Sequence, residues 1–157
     1  MVIKKKHIII QARTSSTRFP QKVIKKIGDD TLLGLAIKRV KQATKGDQVI
    51  VATSSNHSDD LIENIAEELG VHIFRGSLED VLDRYYQASV KYKSDIIIRI
   101  TGDCPLIDPK LIDAIVERFE VEDLDYLSNT LDPQYPDGQD IEVFSFEALE
   151  KAWKSAN

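Results

Sequence analysis

The chain has 157 residues, of which 42% are apolar and 30% charged, and a net charge of −5. That length fits one domain with a substantial core, and the acidic balance excludes general affinity for nucleic acid or an anionic membrane. A single cysteine, Cys104, excludes an internal disulfide. No apolar run approaches membrane-spanning length, and the triplet after Lys4, Lys5 and Lys6 is too short for a signal-peptide core, so the cytoplasm is the expected compartment.

Strand and helix patterns alternate along the chain. Residues 7–12 read as a strand buried on both faces, because Ile8, Ile9 and Ile10 are consecutive. A helix opens at Asp30, carries Leu32, Leu33, Ala36, Ile37 and Val40 at helical spacing, and ends near Gly46. Residues 48–53 form a second strand. Ser58 is predicted to cap a helix with Leu61, Ile62, Ile65, Ala66 and Leu69 on one face, stopped by Gly70. Residues 71–75 form a third strand, and Ser77 precedes a helix over 78–90. Residues 95–101 form a fourth strand around Ile96, Ile97 and Ile98. Pro109 starts a helix over 110–119. Residues 125–128 are a candidate strand. The stretch 129–139, with Pro133, Pro136 and Gly138, reads as a loop. Residues 141–144 are a further candidate strand, and Phe146 opens a terminal helix reaching Ala156. Strands joined by crossover helices imply an α/β domain with a mainly parallel sheet and helices on both faces.

Four stretches carry chemistry. The first, Gln11-Ala12-Arg13-Thr14-Ser15-Ser16-Thr17-Arg18-Phe19-Pro20-Gln21-Lys22, follows the first strand. Its three cations and four consecutive hydroxyls lie at the carboxyl end of that strand, the edge where open α/β sheets bind ligands. Arginine offers a planar fork of donors, lysine a mobile charge and the hydroxyls short hydrogen bonds. The stretch therefore reads as a triphosphate-holding loop; the plainer alternative is a solvated surface loop. The glycines of a Walker loop and of a dinucleotide fingerprint are both missing, so side chains as well as backbone amides would hold the anion.

The second stretch runs from Arg99 to Asp108. Asp103 follows a buried strand and Gly102, which places it to hold magnesium, an ion that takes one or two carboxylates together with substrate phosphate oxygens. A turn-forming aspartate is the alternative. Asp108 before Pro109 reads as a helix cap, and Cys104 as a packed thiol rather than a nucleophile. The third stretch places Arg75 and Gly76 after a strand and Asp83 and Arg84 on the next helix. It reads as base or ribose contacts, or as surface charge pairing, the better account of Glu79 and Asp80. In the fourth stretch Asp140 and Glu142 alternate. A second carboxylate here could complete a metal site or act as a base on an acceptor; an exposed edge strand with alternating acids fits equally. His7, His57 and His72 show no metal-ligand spacing and are taken as structural.

Gln11-Ala12-Arg13-x-x-Ser16-x-Arg18-x-Pro20-x-Lys22 resembles the amino-terminal signature of the sugar-acid cytidylyltransferases, such as the CMP-KDO and CMP-sialic acid synthetases. The segment from Arg99 through Gly102-Asp103 to Asp108, the segment Asp80-Val81-Leu82-Asp83-Arg84-Tyr85, and Tyr135-Pro136-x-Gly138-x-Asp140-x-Glu142-Val143-Phe144 are similar to one branch more closely still, the spore coat polysaccharide biosynthesis cytidylyltransferase-like family. The resemblance covers nearly the whole chain. It implies a Rossmann-like, three-layer α/β/α nucleotidyltransferase fold over residues 1–157, without the C-terminal part usual in that family. It implies a magnesium-dependent transfer of CMP from CTP to a sugar acid, with release of pyrophosphate, in cell-surface or spore-coat polysaccharide biosynthesis, and it allows a homodimer.

Carried over by the resemblance, Arg13, Ser16, Arg18 and Lys22 hold the triphosphate, with Gln11 and Ala12 beside them. Asp103 and Asp140 bind the metal. Ala52, Thr53 and Ser54 lie at the base, and Asp83, Arg84 and Arg99 near the nucleotide. Arg13, Arg18, Lys22 and Asp103 would carry the catalysis. Two departures stand out: Ser54-Ser55 replaces acidic residues of many synthetases, and no Gly-Thr precedes Asp83. The rival readings are a glycosyltransferase using a ready-made nucleotide sugar, although Gly102-Asp103-Cys104-Pro105 lacks the second Asp of an Asp-x-Asp motif, and a nucleotide-binding module without turnover.

Overall fold

The structure, a computed structural model, describes residues 3–132 and 134–156; Pro133, assigned above to a loop, lies outside the described residues. In chain order the elements are β1 (Lys6–Gln11), the short hairpin β2 (Lys26–Ile27) and β3 (Asp30–Thr31), α1 (Leu32–Val40), β4 (Gln48–Ser54), α2 (Asp60–Glu68), β5 (His72–Gly76), α3 (Val81–Tyr92), β6 (Ile96–Thr101), α4 (Pro109–Val121), β7 (Tyr126–Ser128), β8 (Glu142–Ser145) and α5 (Phe146–Ala156). Single turns of 3-10 helix occupy Lys22–Ile24 and His57–Asp59.

The uninterrupted apolar runs become the centre of the sheet, because only a strand covered on both faces can bury consecutive isoleucines. Strand order is β5-β4-β1-β6-β8-β7. β5, β4, β1 and β6 are parallel; β8 runs antiparallel to β6, and β7 antiparallel to β8. On one face Ile8, Ile10, Val51, Ile98 and Ile100 pack against Leu33 and Ile37 of α1, Ile62 and Ala66 of α2, and Ile112 and Val116 of α4. On the other, Ile9, Ile50, Ala52, Ile97 and Phe144 pack against Tyr85 and Ala88 of α3 and Leu149 of α5. This is the three-layer α/β/α arrangement.

Register sets the site. Gln11 lies level with Ala52 on one side and Thr101 on the other, and Ser54 lies level with Gly76. The carboxyl ends of four parallel strands therefore open at one edge, and the loops after them meet there.

Several boundaries differ from the sequence pattern. α1 begins at Leu32, because Thr31 caps it by accepting a hydrogen bond from the Gly34 amide at 2.9 Å. Asp30 accepts from Lys38 Nζ instead. The helix ends at Val40 rather than near Gly46; beyond it Asp113 receives the amides of Thr44 and Lys45. Ser58 caps nothing: it lies in a 3-10 turn, and α2 starts at Asp60. α3 starts at Val81, since Asp80 caps it through the Asp83 amide (2.8 Å), while Ser77 Oγ accepts from the Asp80 amide. Asp108 does cap α4, accepting from the Lys110 amide at 2.9 Å. Among the described residues no helix is long and apolar enough to cross a membrane.

Candidate active site

The loop after β1 and the turn after β6 enclose a cleft of about 450 Å³, lined by Gln11, Ala12, Arg13, Ser16, Thr17, Arg18, Phe19, Lys22, Val23, Thr101 and Asp103. The loop is folded on itself. The Thr14 carbonyl accepts from the amides of Ser16 (2.9 Å) and Gln21 (2.8 Å), and Gln21 takes a left-handed conformation, φ 58°, that turns the chain back toward the sheet. Lys22 then opens a 3-10 turn with its Nζ 2.9 Å from Asp103 Oδ2. Arg13 and Arg18 are exposed and have no ionic partner among the described residues.

Glycine brings the second wall close. The Gly102 amide donates to the Gln11 carbonyl at 2.8 Å. A Cβ at Gly102 would stand 2.9 Å from Ala12 Cβ and 3.0 Å from the Gln11 carbonyl oxygen, so only glycine permits the approach that sets Asp103 against the loop. Burial pushes the Asp103 carboxyl up, but the hydrogen bond and charge of Lys22 prevail and hold it below the usual carboxylate range. It is an ionised, hard oxygen donor at neutral pH. Asp140 is exposed, and its charge reaches Cys104, the residue after Asp103. Among the described residues no group of three or more His, Cys, Asp or Glu could hold a metal ion. Of the two carboxylates expected to bind a metal, Asp103 lines the cleft and Asp140 is not among its lining residues; magnesium can use one or two carboxylates together with substrate phosphate oxygens. Cys104 is a packed thiol: burial raises its pKa, and Sγ lies 2.9 Å from Thr101 Oγ1.

Other candidates lie elsewhere. Ala52, Thr53 and Ser54 are fully buried. Both hydroxyls donate to the buried carboxylate of Asp59, so neither side chain is presented to a base. Asp83 faces α5, accepting from Trp153 Nε1 at 3.0 Å and from Gln87 Nε2. Arg84 is fully buried; its Nη1 donates to the Ser77 carbonyl at 2.6 Å, and its Nε and Nη2 find no hydrogen-bond partner among the described residues. Arg75 is a latch rather than a nucleotide contact: it pairs with Asp60 (2.7 Å) and Glu63 (2.6 Å) and donates to the carbonyls of Ser54 and Asn56.

Arg99 does reach the cleft wall. Its Nη1 donates to both Glu142 oxygens, at 2.9 and 2.8 Å, and Nη2 donates to Gln11 Oε1 at 3.3 Å. Arg99 and Glu142 border a second cavity of about 360 Å³ that includes Tyr85, Phe144 and Leu149, and the Arg99–Gln11 hydrogen bond ties the lining of that cavity to the lining of the cleft.

Sequence reasoning missed Asp59. Its two oxygens accept five hydrogen bonds, from the Thr14 amide and hydroxyl, the Thr53 hydroxyl, and the Ser54 amide and hydroxyl. The only signal was the concentration of hydroxyls at two loop starts, Thr14 and Thr53-Ser54, which need an acceptor once buried.

A family model described as cytidylyltransferase matches residues 7–157. An uncharacterized protein of Methanocaldococcus jannaschii is 47% identical over 94% of this chain and 60% of its own length. The spore coat polysaccharide biosynthesis protein SpsF of Bacillus subtilis is 39% identical over 75% of the chain and 51% of its own. A 3-deoxy-manno-octulosonate cytidylyltransferase of Solibacter usitatus is 36% identical over 85% and 52%. Among solved structures, a cytidylyltransferase from Leptospira borgpetersenii superposes with a TM-score of 0.94 at 41% identity, covering 97% of this chain and 65% of that one. The chain thus spans between half and two thirds of the length of these relatives. Fold, loop and family match together place this chain in the cytidylyltransferase family.

Proposed function

We propose that the chain transfers CMP from CTP to a sugar acid, releasing pyrophosphate. The observation that carries this reading is the 2.9 Å approach of Lys22 Nζ to Asp103 Oδ2. It brings a loop cation and the carboxylate we read as the metal ligand to one point of one cleft, an arrangement that suits a triphosphate. The acceptor hydroxyl attacks the α-phosphorus of CTP and gives up its proton to solvent; the new O–P bond forms as the bond to the bridging oxygen of the β-phosphate breaks and pyrophosphate leaves. Such transfers ask for positioning and charge neutralisation rather than covalent chemistry by the protein.

Arg13, Arg18 and Lys22 hold the β- and γ-phosphates and stabilise the charge that builds on the departing pyrophosphate. Ser16 adds a hydrogen bond. Asp103 and Asp140 would hold magnesium, which when bound neutralises phosphate charge and can lower the acceptor's pKa. Lys22 exchanges its carboxylate partner for a phosphate oxygen as the nucleotide arrives. The acceptor lies on the Arg99–Glu142 side, where the second cavity adjoins the cleft at Gln11. Glu142, with both oxygens on Arg99, serves there to orient hydroxyls. The name of the Solibacter relative supports a sugar acid as acceptor, and that of the Bacillus relative a place in polysaccharide biosynthesis; the reaction is proposed to run in the cytoplasm.

The test is incubation with CTP, magnesium and a panel of sugar acids, read by mass detection of a CMP-sugar and by stoichiometric pyrophosphate. CTP binding without transfer to any acceptor would reduce the reading to a nucleotide-binding module. Hydrolysis of a nucleotide sugar, with no pyrophosphate from any nucleotide, would turn it toward a glycosyltransferase.

A further inference from the structure

Asp59 belongs by position to the start of α2, yet it does nothing for that helix: its side chain makes no capping bond. It is fully buried, and its carboxylate forms no ion pair among the described residues. Its oxygens divide their work. Oδ1 accepts from the Thr14 amide (2.8 Å) and hydroxyl (2.6 Å). Oδ2 accepts from the Thr53 hydroxyl (2.9 Å), the Ser54 amide (3.2 Å) and the Ser54 hydroxyl. One oxygen therefore grips the loop after β1, and the other grips the end of β4.

Thr14 passes the constraint on. It follows Arg13 directly, and its carbonyl accepts from the amides of Ser16 and Gln21, the residues that begin and end the turn before Lys22. A buried anion fully satisfied by donors from two segments locks both, since losing it leaves those donors unpaired in a dry site.

We infer that Asp59 is the positioning residue of the phosphate loop: through Thr14 it sets Arg13 and Lys22 in the conformation that receives a polyphosphate. The inference rests on the reading of that loop as phosphate-holding. A purely architectural Asp59 would matter for melting temperature alone; a positioning Asp59 matters for anion affinity at temperatures where the protein is fully folded.

The test is Asp59→Asn, which keeps the shape but turns an NH2 group toward donors. Binding of inorganic triphosphate with magnesium is measured by calorimetry, and amide exchange at Thr14, Ser16 and Gln21 by NMR. The expected result is a folded protein whose triphosphate affinity falls about tenfold or more, the scale of one lost positioning interaction, with faster exchange at Thr14 and Gln21 while Ile9 and Ile98 stay protected. Unchanged affinity and unchanged loop exchange in the folded variant would overturn the inference. Should Asp59→Asn not fold, Thr14→Val removes the hydroxyl that donates to Asp59 Oδ1 at 2.6 Å and also lies 3.1 Å from the Ser58 carbonyl, and keeps the Thr14 amide bond to Asp59; a loss of about threefold or more is expected, and wild-type affinity there would overturn the inference equally. Should the wild-type chain bind no triphosphate, the functional reading fails by itself, and the exchange comparison still decides whether Asp59 orders the loop.

Discussion

Lys22 Nζ and Asp103 Oδ2 lie 2.9 Å apart although 81 positions separate the residues in the chain. One ends the loop after β1 and the other follows β6, strands that are direct neighbours. The parallel register makes the meeting possible, and Gly102 makes it close. Both side chains are about 40% exposed, at 39% and 42%, so the pair contributes little to stability. On the proposed reading its placement serves the nucleotide rather than the fold.

Lys22→Ala should therefore separate activity from folding. Pyrophosphate release should fall by about 10²–10³-fold, the range seen when a preorganised charge-stabilising donor is removed. The melting temperature should stay within a few degrees, as about 0–1 kcal/mol of an exposed ion pair allows. Release assays and thermal melts on the same preparation check both halves; wild-type turnover would remove Lys22 from the mechanism.

Gly102→Ala should do the opposite and harm both. The added methyl meets Ala12 Cβ at 2.9 Å and the Gln11 carbonyl at 3.0 Å, neither of which is the movable end of a side chain. A loss of about 1–3 kcal/mol is expected from overpacking, with Asp103 displaced from Lys22 and turnover reduced. Chemical denaturation and pyrophosphate release measure the two effects.

Acid stability should report on Asp59. Burial pushes its carboxyl up, but hydrogen bonds from Ser54, Thr14 and Thr53 prevail and hold it below the ordinary value. A depressed carboxyl stabilises the fold fully above the unfolded-state pKa, about 3.9 for aspartate, and that contribution is lost as pH falls through the folded-state value. The buried Arg84 guanidinium, which also interacts with Asp59, stays charged throughout this range. Unfolding free energy measured from pH 6 down to pH 2 should drop more steeply for the wild type than for Asp59→Asn; parallel curves would exclude the linkage.

Glu142→Gln should act on the acceptor alone. It weakens the bidentate hold on Arg99 while leaving the Lys22–Asp103 pair in place. An increase of about tenfold in the acceptor KM, with the CTP KM unchanged, is the expected pattern in initial-rate kinetics; the reverse pattern would move the acceptor away from the Arg99–Glu142 side.

The parts legible in sequence were those set by local pattern. The isoleucine triplets of β1 and β6 read as strands buried on both faces and are central strands, and α5 has the bounds expected for it, Phe146 and Ala156. That the loop cations and Asp103 would share one cleft was legible because strand ends in this architecture face one edge. What stayed hidden was the orientation of polar side chains. Thr53, Ser54, Asp83 and Arg84 resembled nucleotide contacts, but each turns to a partner distant in sequence or lies buried: the hydroxyls to Asp59, Asp83 to Trp153, Arg84 to the Ser77 carbonyl. Asp59 and Asp60 are adjacent and chemically identical, yet one is buried and bonded to five donors while the other pairs with Arg75 at the surface. No local periodicity distinguishes them, because tertiary packing decides which carboxylate turns inward.

The most direct measurement is thermal stabilisation by CTP, UTP, ATP and GTP, each with magnesium, at equal concentration. A bound ligand raises stability by mass action, so preference appears as the size of the shift. CTP should give the largest shift, and Lys22→Ala should abolish most of it. A CTP shift no larger than those of the other three nucleotides would contradict the assignment of this cleft to cytidylyl transfer.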